Sequence, residues 1–110
     1  LTDSILKKTI KQCEDMEKTL KKEAGFAVSA AEKKDKKKMQ LHSAEGAKVL
    51  KKLQDIVKRH SDIKKDFKKE IAKSKDQKII EKSIKEIEKI GTDAQKSWEN
   101  ASSEAAKHLG

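Results

Sequence analysis

An all-α fold is expected here, an antiparallel bundle of three long helices, and two features of the chain predict it. The 110 residues contain no proline, no tyrosine, four scattered glycines and 43% charged side chains, a composition poor in turn and sheet formers. The apolar residues that remain recur at alternating steps of three and four, the spacing that lines one face of a helix. They do so along residues 3–37, 44–73 and 77–109, three stretches separated by short polar connectors and read as one domain over 1–110.

Helix one opens on Thr2, Asp3 and Ser4, all good N-cap residues, and its stripe runs through Leu6, Ile10, Cys13, Glu17 or Met16, Leu20, Ala24, Ala27 and Ala31. Gly25 interrupts this stripe. Because Phe26, Ala27 and Val28 continue it, a bend or a tolerated glycine is favoured over an end, but a break near Gly25 would give a four-helix variant. The run Lys33-Lys34-Asp35-Lys36-Lys37-Lys38 has no apolar period and marks the helix end. Positive charge there complements the C-terminal dipole, and the same lysines could anchor an acidic partner.

Ser43 is the expected cap of helix two, the longest run with one uninterrupted period. Gly46, Leu50, Leu53, Val57, His60, Lys64, Phe67 and Ile71 form its stripe, widened by Val49, Ile56 and Ile63. Its other face is a ridge of basic residues. Ser74, Lys75, Asp76 and Gln77 make a short polar connection, and short connections join antiparallel neighbours. Helix three follows with Ile80, Ile84, Ile87, Gly91, Ala94, Trp98, Ala101 and Ala105. Phe26, Phe67 and Trp98, one per helix, read as core residues at helical spacing.

Charge is unevenly distributed. Lys and Arg outnumber Asp and Glu by 11 to 7 in residues 1–38 and by 11 to 6 in 39–76, against 6 to 6 in 77–110. On this division the first two helices own the net charge of +9. All but one of the cations are lysine, Arg59 being the exception, which suits diffuse attraction to an anionic surface and argues against sequence-specific reading of nucleic acid. The candidate contacts for an anionic partner are Lys33, Lys34, Lys36, Lys37, Lys38, Lys48, Lys51, Lys52, Lys58, Arg59, Lys65, Lys68 and Lys69.

No catalytic, cofactor or metal signature is present. His42, His60 and His108 are far apart in sequence, Glu104 and His108 supply only two ligands one turn apart, and no glycine-rich phosphate loop or nucleophile elbow occurs. Cys13 is alone, so it forms no internal disulfide, and its place on the apolar stripe gives it the role of a small buried hydrophobe. His60 falls on the seam of helix two and reads as a packing residue. No apolar run reaches the roughly 20 residues of a membrane span. The start at Leu1 fits a mature secreted chain without its signal peptide, and the lone cysteine fits a cytoplasmic one.

The expectation is therefore a non-enzymatic binding bundle, a monomer or weak oligomer. Its lysine-rich face on helices one and two would engage an acidic protein, a glycosaminoglycan or an acidic lipid surface. Two other functions suit the same pattern: an exchangeable apolipoprotein-like bundle that lays amphipathic helices on lipid, and a coiled-coil or scaffold segment of a larger assembly.

Overall fold

The computed structural model describes residues 3–110, so the cap assigned to Thr2 lies outside it. Four helices, α1 (Asp3–Glu32), α2 (Lys36–Asp66), α3 (Lys68–Lys73) and α4 (Gln77–Leu109), hold all but eight of the described residues. Among those residues there is no strand. The body measures 56 × 21 × 16 Å, matching the ~50 Å length of a helix the size of α4 at 1.5 Å per residue.

Leu6 near the start of α1 meets Ile80 and Ile84 near the start of α4, whereas Glu32 and His108 meet at the far ends of the same two helices. Hence α1 and α4 run parallel in direct contact, and α2 returns alongside both in the opposite direction. The α1–α2 hairpin forms one end of the bundle, called the tip below; α3 and the α3–α4 turn form the other.

Two boundaries at the hairpin differ from the sequence expectation. Helix one ends at Glu32 instead of 37, and the central helix begins at Lys36 instead of 44. The cause is a tight turn: the amide of Lys34 donates to Ala31 O at 3.0 Å and that of Asp35 to Ala30 O at 2.9 Å, the double closure of a Schellman motif. Lys34 fills the left-handed position at φ 61, which glycine normally takes. Asp35, not Ser43, then caps α2 by accepting from the Lys38 amide at 3.1 Å. Ser43 is inside α2, its hydroxyl on Met39 Sδ at 3.4 Å.

The four-helix count arises at Phe67, not at Gly25, which α1 passes without a break. Phe67 leaves helical geometry at φ −109, ψ 28, although its amide still donates to Ile63 O at 2.9 Å. The following turn carries Ile71 against Leu6, Ile80 and Ile84, closing that end of the core. Phe67 and Phe26, expected in the core, are 52% and 45% exposed. In both cases neighbouring aliphatic residues already fill the seam.

Core composition changes along the long axis. Leu6, Ile80, Ile84 and Ile71 fill the α3 end; Cys13, Leu20, Leu50, Leu53, Ile87 and Ala94 fill the middle. Towards the tip the buried side chains of α1 and α4 are Ala27, Ala30, Ala31 and Ala105. Trp98 spans the border between these regions by lying against the bare backbone of Gly46, where a Cβ would meet three of its ring carbons at 2.0, 2.3 and 2.9 Å. Gly91 of α4 similarly admits Val57, whose Cγ2 would be 2.7 Å from an added Cβ.

These environments predict opposite outcomes for one chemical change. Gly25 has nothing within 4 Å of an added Cβ. Gly25→Ala should therefore stabilise by about 0.5–1 kcal/mol through helix propensity and chain entropy. Gly46→Ala should destabilise by about 1–3 kcal/mol, overpacking against Trp98 outweighing that same gain. Urea unfolding of the two variants measures both signs.

Candidate functional site

Observed helix boundaries reassign the charge. Counting Lys and Arg against Asp and Glu, α1 carries six of each, α2 carries ten against four, and α4 carries six of each. The field belongs to α2, rather than to helices one and two together, because Lys36, Lys37 and Lys38 open α2 instead of closing α1.

All thirteen candidate residues are exposed, but they do not form one patch. Lys33 and Lys34 lie in the turn, and Lys68 and Lys69 on α3 are set apart by the break at Phe67. Along α2, Lys48, Lys52 and Arg59 share one azimuth, and Lys52 lines the groove against α1. Lys51, Lys58 and Lys65, at seven-residue intervals, form a second row about 100° further round the helix. Among the described residues only Lys48 of the thirteen is in an ion pair, with Glu45 at 3.8 Å. Lys34 donates from Nζ to the backbone carbonyl of His108, tying the hairpin to the end of α4.

Lys36, Lys37 and Lys38 occupy the first turn of α2, which has no acidic residue. Positive charge at a helix N-terminus opposes the macrodipole, so these lysines cost local stability instead of complementing a helix end. Asp35 at the cap offsets part of that cost.

The grooves between neighbouring helices differ in sign. Between α1 and α2, Lys8, Lys11 and Lys52 face a single acid, Asp15, over an apolar floor of Met16 and Val49. Between α1 and α4, Glu14, Glu17, Glu86 and Asp93 outnumber Lys82, Lys85 and Lys89. Between α2 and α4, Glu88 and Glu99 are matched by Lys96 and Lys64. Glu88 is further engaged there, accepting from Ser61 Oγ at 2.8 Å and pairing with Lys64 at 3.5 Å. Among the described residues, the α1–α2 seam alone of these three grooves combines an excess of cations with an apolar floor.

At the tip the same seam carries Phe26 and Leu41, beside Lys33 and Lys38. Leu41 is 58% exposed. The Phe26 ring lies 5.0 Å from that of His42, and His42 Nδ1 is 2.6 Å from Glu23 Oε2, which joins α1 to α2. Sequence reasoning missed Lys8, Lys11, Phe26 and Leu41 as members of this face. The signal was available: Phe26 is eighteen residues, five full turns, beyond Lys8, and Leu41 is eighteen before Arg59.

The other titratable groups take structural positions. His60 is buried, with Nδ1 donating to Ile56 O at 2.8 Å. His108 Nε2 lies 3.8 Å from Glu32 and 4.0 Å from Glu104, a third donor from α1 joining the pair noted in the sequence. These three offer ligand-type atoms within 4.8 Å of one another, but the Lys34 ammonium already occupies the same corner and opposes a dication. Among the described residues no helix is long and apolar enough to cross a membrane.

Fold and geometry thus define an all-α bundle with one cationic, apolar-floored seam. Comparison with protein-family models, curated proteins and solved structures finds no match to this chain.

Burial pushes the Cys13 thiol up to about 11 from an ordinary value of 9.0, with the Glu14 carboxylate adding to the shift. Thiolate is then scarce in the folded protein at pH 8. Alkylation of Cys13 should be slow in native protein and fast in denaturant, and a native rate equal to the denatured one would contradict the packing. Because the folded value is raised, the unfolded chain ionises first. The stability associated with the neutral thiol is complete below pH 9 and is lost as pH rises from there towards 11.

Proposed function

We propose that the protein is a non-enzymatic binding module that engages an extended anionic surface through the α1–α2 seam and the basic flank of α2. The observation that carries this reading is the sorting of charge among the three grooves, with cations in excess in one of them. Lysines spread along five turns of helix suit a partner that is itself extended, since a small anion could reach only one or two of them. Lys36, Lys37 and Lys38 support the same reading, because their position is unfavourable for the helix alone.

A second reading, an apolipoprotein-like bundle that opens on lipid, draws support from the alanine-filled core towards the tip. Fewer buried methylenes there give a region of lower local stability.

Binding to heparin, a soluble polyanion, tests the first reading. Between about 0.05 and 0.5 M salt the Debye length falls from roughly 14 to 4 Å, and affinity should fall by at least about tenfold. Salt-insensitive binding, or none, would remove the proposal. Lys36→Glu with Lys37→Glu should weaken binding while raising stability by about 0.3–1 kcal/mol per site, through improved complementarity with the α2 dipole. A lysine kept only for folding would not give that divergence.

A further inference from the structure

We infer that the anionic surface is a lipid bilayer, and that the closed bundle docks on it along the α1–α2 seam with Phe26 and Leu41 entering the headgroup–acyl boundary. This rests on the binding reading above and names its partner. Three observations lead to it.

First, cations and exposed apolar side chains share one azimuth. Phe26 lies five turns along α1 from Lys8, and Leu41 lies five turns along α2 from Arg59 and seven residues from Lys48. At 1.5 Å per residue the Lys8-to-Phe26 span is ~27 Å, so the partner must be long and nearly flat.

Second, the apolar groups are fixed in place and uncovered. Phe26 and Leu41 are 45% and 58% exposed, and Phe26 is steadied by His42, itself held by Glu23. A polysaccharide polyanion presents charge but no apolar layer to receive them. A bilayer interface presents both at the depth that side chains on a helix surface reach.

Third, three acids on or beside this face are already engaged. Glu23 pairs with His42, Glu45 with Lys48, and Asp35 accepts from the Lys38 amide. Among the described residues Asp15, Asp55 and Asp66 have no ion pair on this face, and they are outnumbered by Lys8, Lys11, Lys33, Lys38, Lys52 and Arg59.

The test is co-sedimentation with vesicles of phosphatidylcholine alone and of phosphatidylcholine with one quarter phosphatidylserine, with native Cys13 alkylation followed on the bound protein. Wild type should bind the phosphatidylserine vesicles, bind the neutral ones far less, and keep Cys13 unreactive. Phe26→Ser with Leu41→Ser should lose about tenfold or more of that binding. Leu41→Ser alone provides a milder variant that keeps the Phe26 contact with His42, and a cooperative melt of each variant shows that the bundle is intact. Ile79→Ser is the control: it is 43% exposed, but it lies on α4, seven residues before Glu86 of the α1–α4 groove, and should bind as wild type.

Equal binding by the Phe26/Leu41 variant, or an equal loss with Ile79→Ser, would overturn the inference. So would Cys13 becoming reactive on vesicles, which would mean that the bundle opens. Salt-dependent heparin binding with no vesicle binding would also overturn it, leaving the proposed function standing with an acidic protein or polysaccharide as partner. Loss of both would remove the two together.

Discussion

Trp98 resting on Gly46 is the contact on which the tip half of this bundle depends. The helices are long and the apolar residues few, so the core is a seam about one side chain wide. Below Trp98 that seam is filled by leucine and isoleucine; above it, by alanine. A single large ring bridges the change, and it does so only because the facing helix offers backbone where every other residue would offer a Cβ. The close approach of α2 to α4 recurs at Gly91, where Gln54 Nε2 donates to the Gly91 carbonyl at 3.0 Å. Seating α2 close against α4 settles which faces of α2 remain free: the flank towards α1 and the outer ridge.

That geometry explains why charge is sorted among grooves rather than spread. On α4, Glu88 meets Ser61 and Lys64 of α2, and on α1, Glu14 and Glu17 turn towards the lysines of α4. Acids are concentrated where helices meet α4, and cations are left on the side where α1 and α2 meet each other. The net charge is a property of the whole chain, but its direction follows from packing. A basic helix whose acids lay along this seam would present a weaker field there.

Much of this fold was legible because helical periodicity is a local signal. Leu6, Cys13, Leu20, Leu50, Leu53, Ile84 and Ile87 were placed on buried stripes by spacing alone, and they are buried. The hairpin was misplaced because Lys34 adopts a left-handed turn without glycine, and the sequence gives that position no mark. Asp35 is a capping residue hidden in a lysine run, so the run read as one feature when it is the end of one helix, a turn and the start of another. Phe67 likewise carries neither glycine nor proline to announce a break. The candidate site was partly legible for the same reason. The basic residues of α2 were found individually, but their division into two rows depends on which flank packs against α4, and that is a tertiary fact.

Phe26 and Leu41 show how far spacing can go. A stripe drawn through the strongest apolar residues absorbs any aromatic that falls near it, and Phe26 was absorbed in that way. Yet the azimuth of Phe26 is that of Lys8, one flank away from Leu20 and Ala27. Burying Phe26 would require α1 to rotate and expose residues that are now almost fully buried, such as Ala31, while pulling Cys13 out of contact with its cluster. Several small and medium side chains in register outweigh one phenyl ring. Exposure of Phe26 is therefore a consequence of the same packing that leaves the seam cationic, and it places an apolar group and a cationic face side by side.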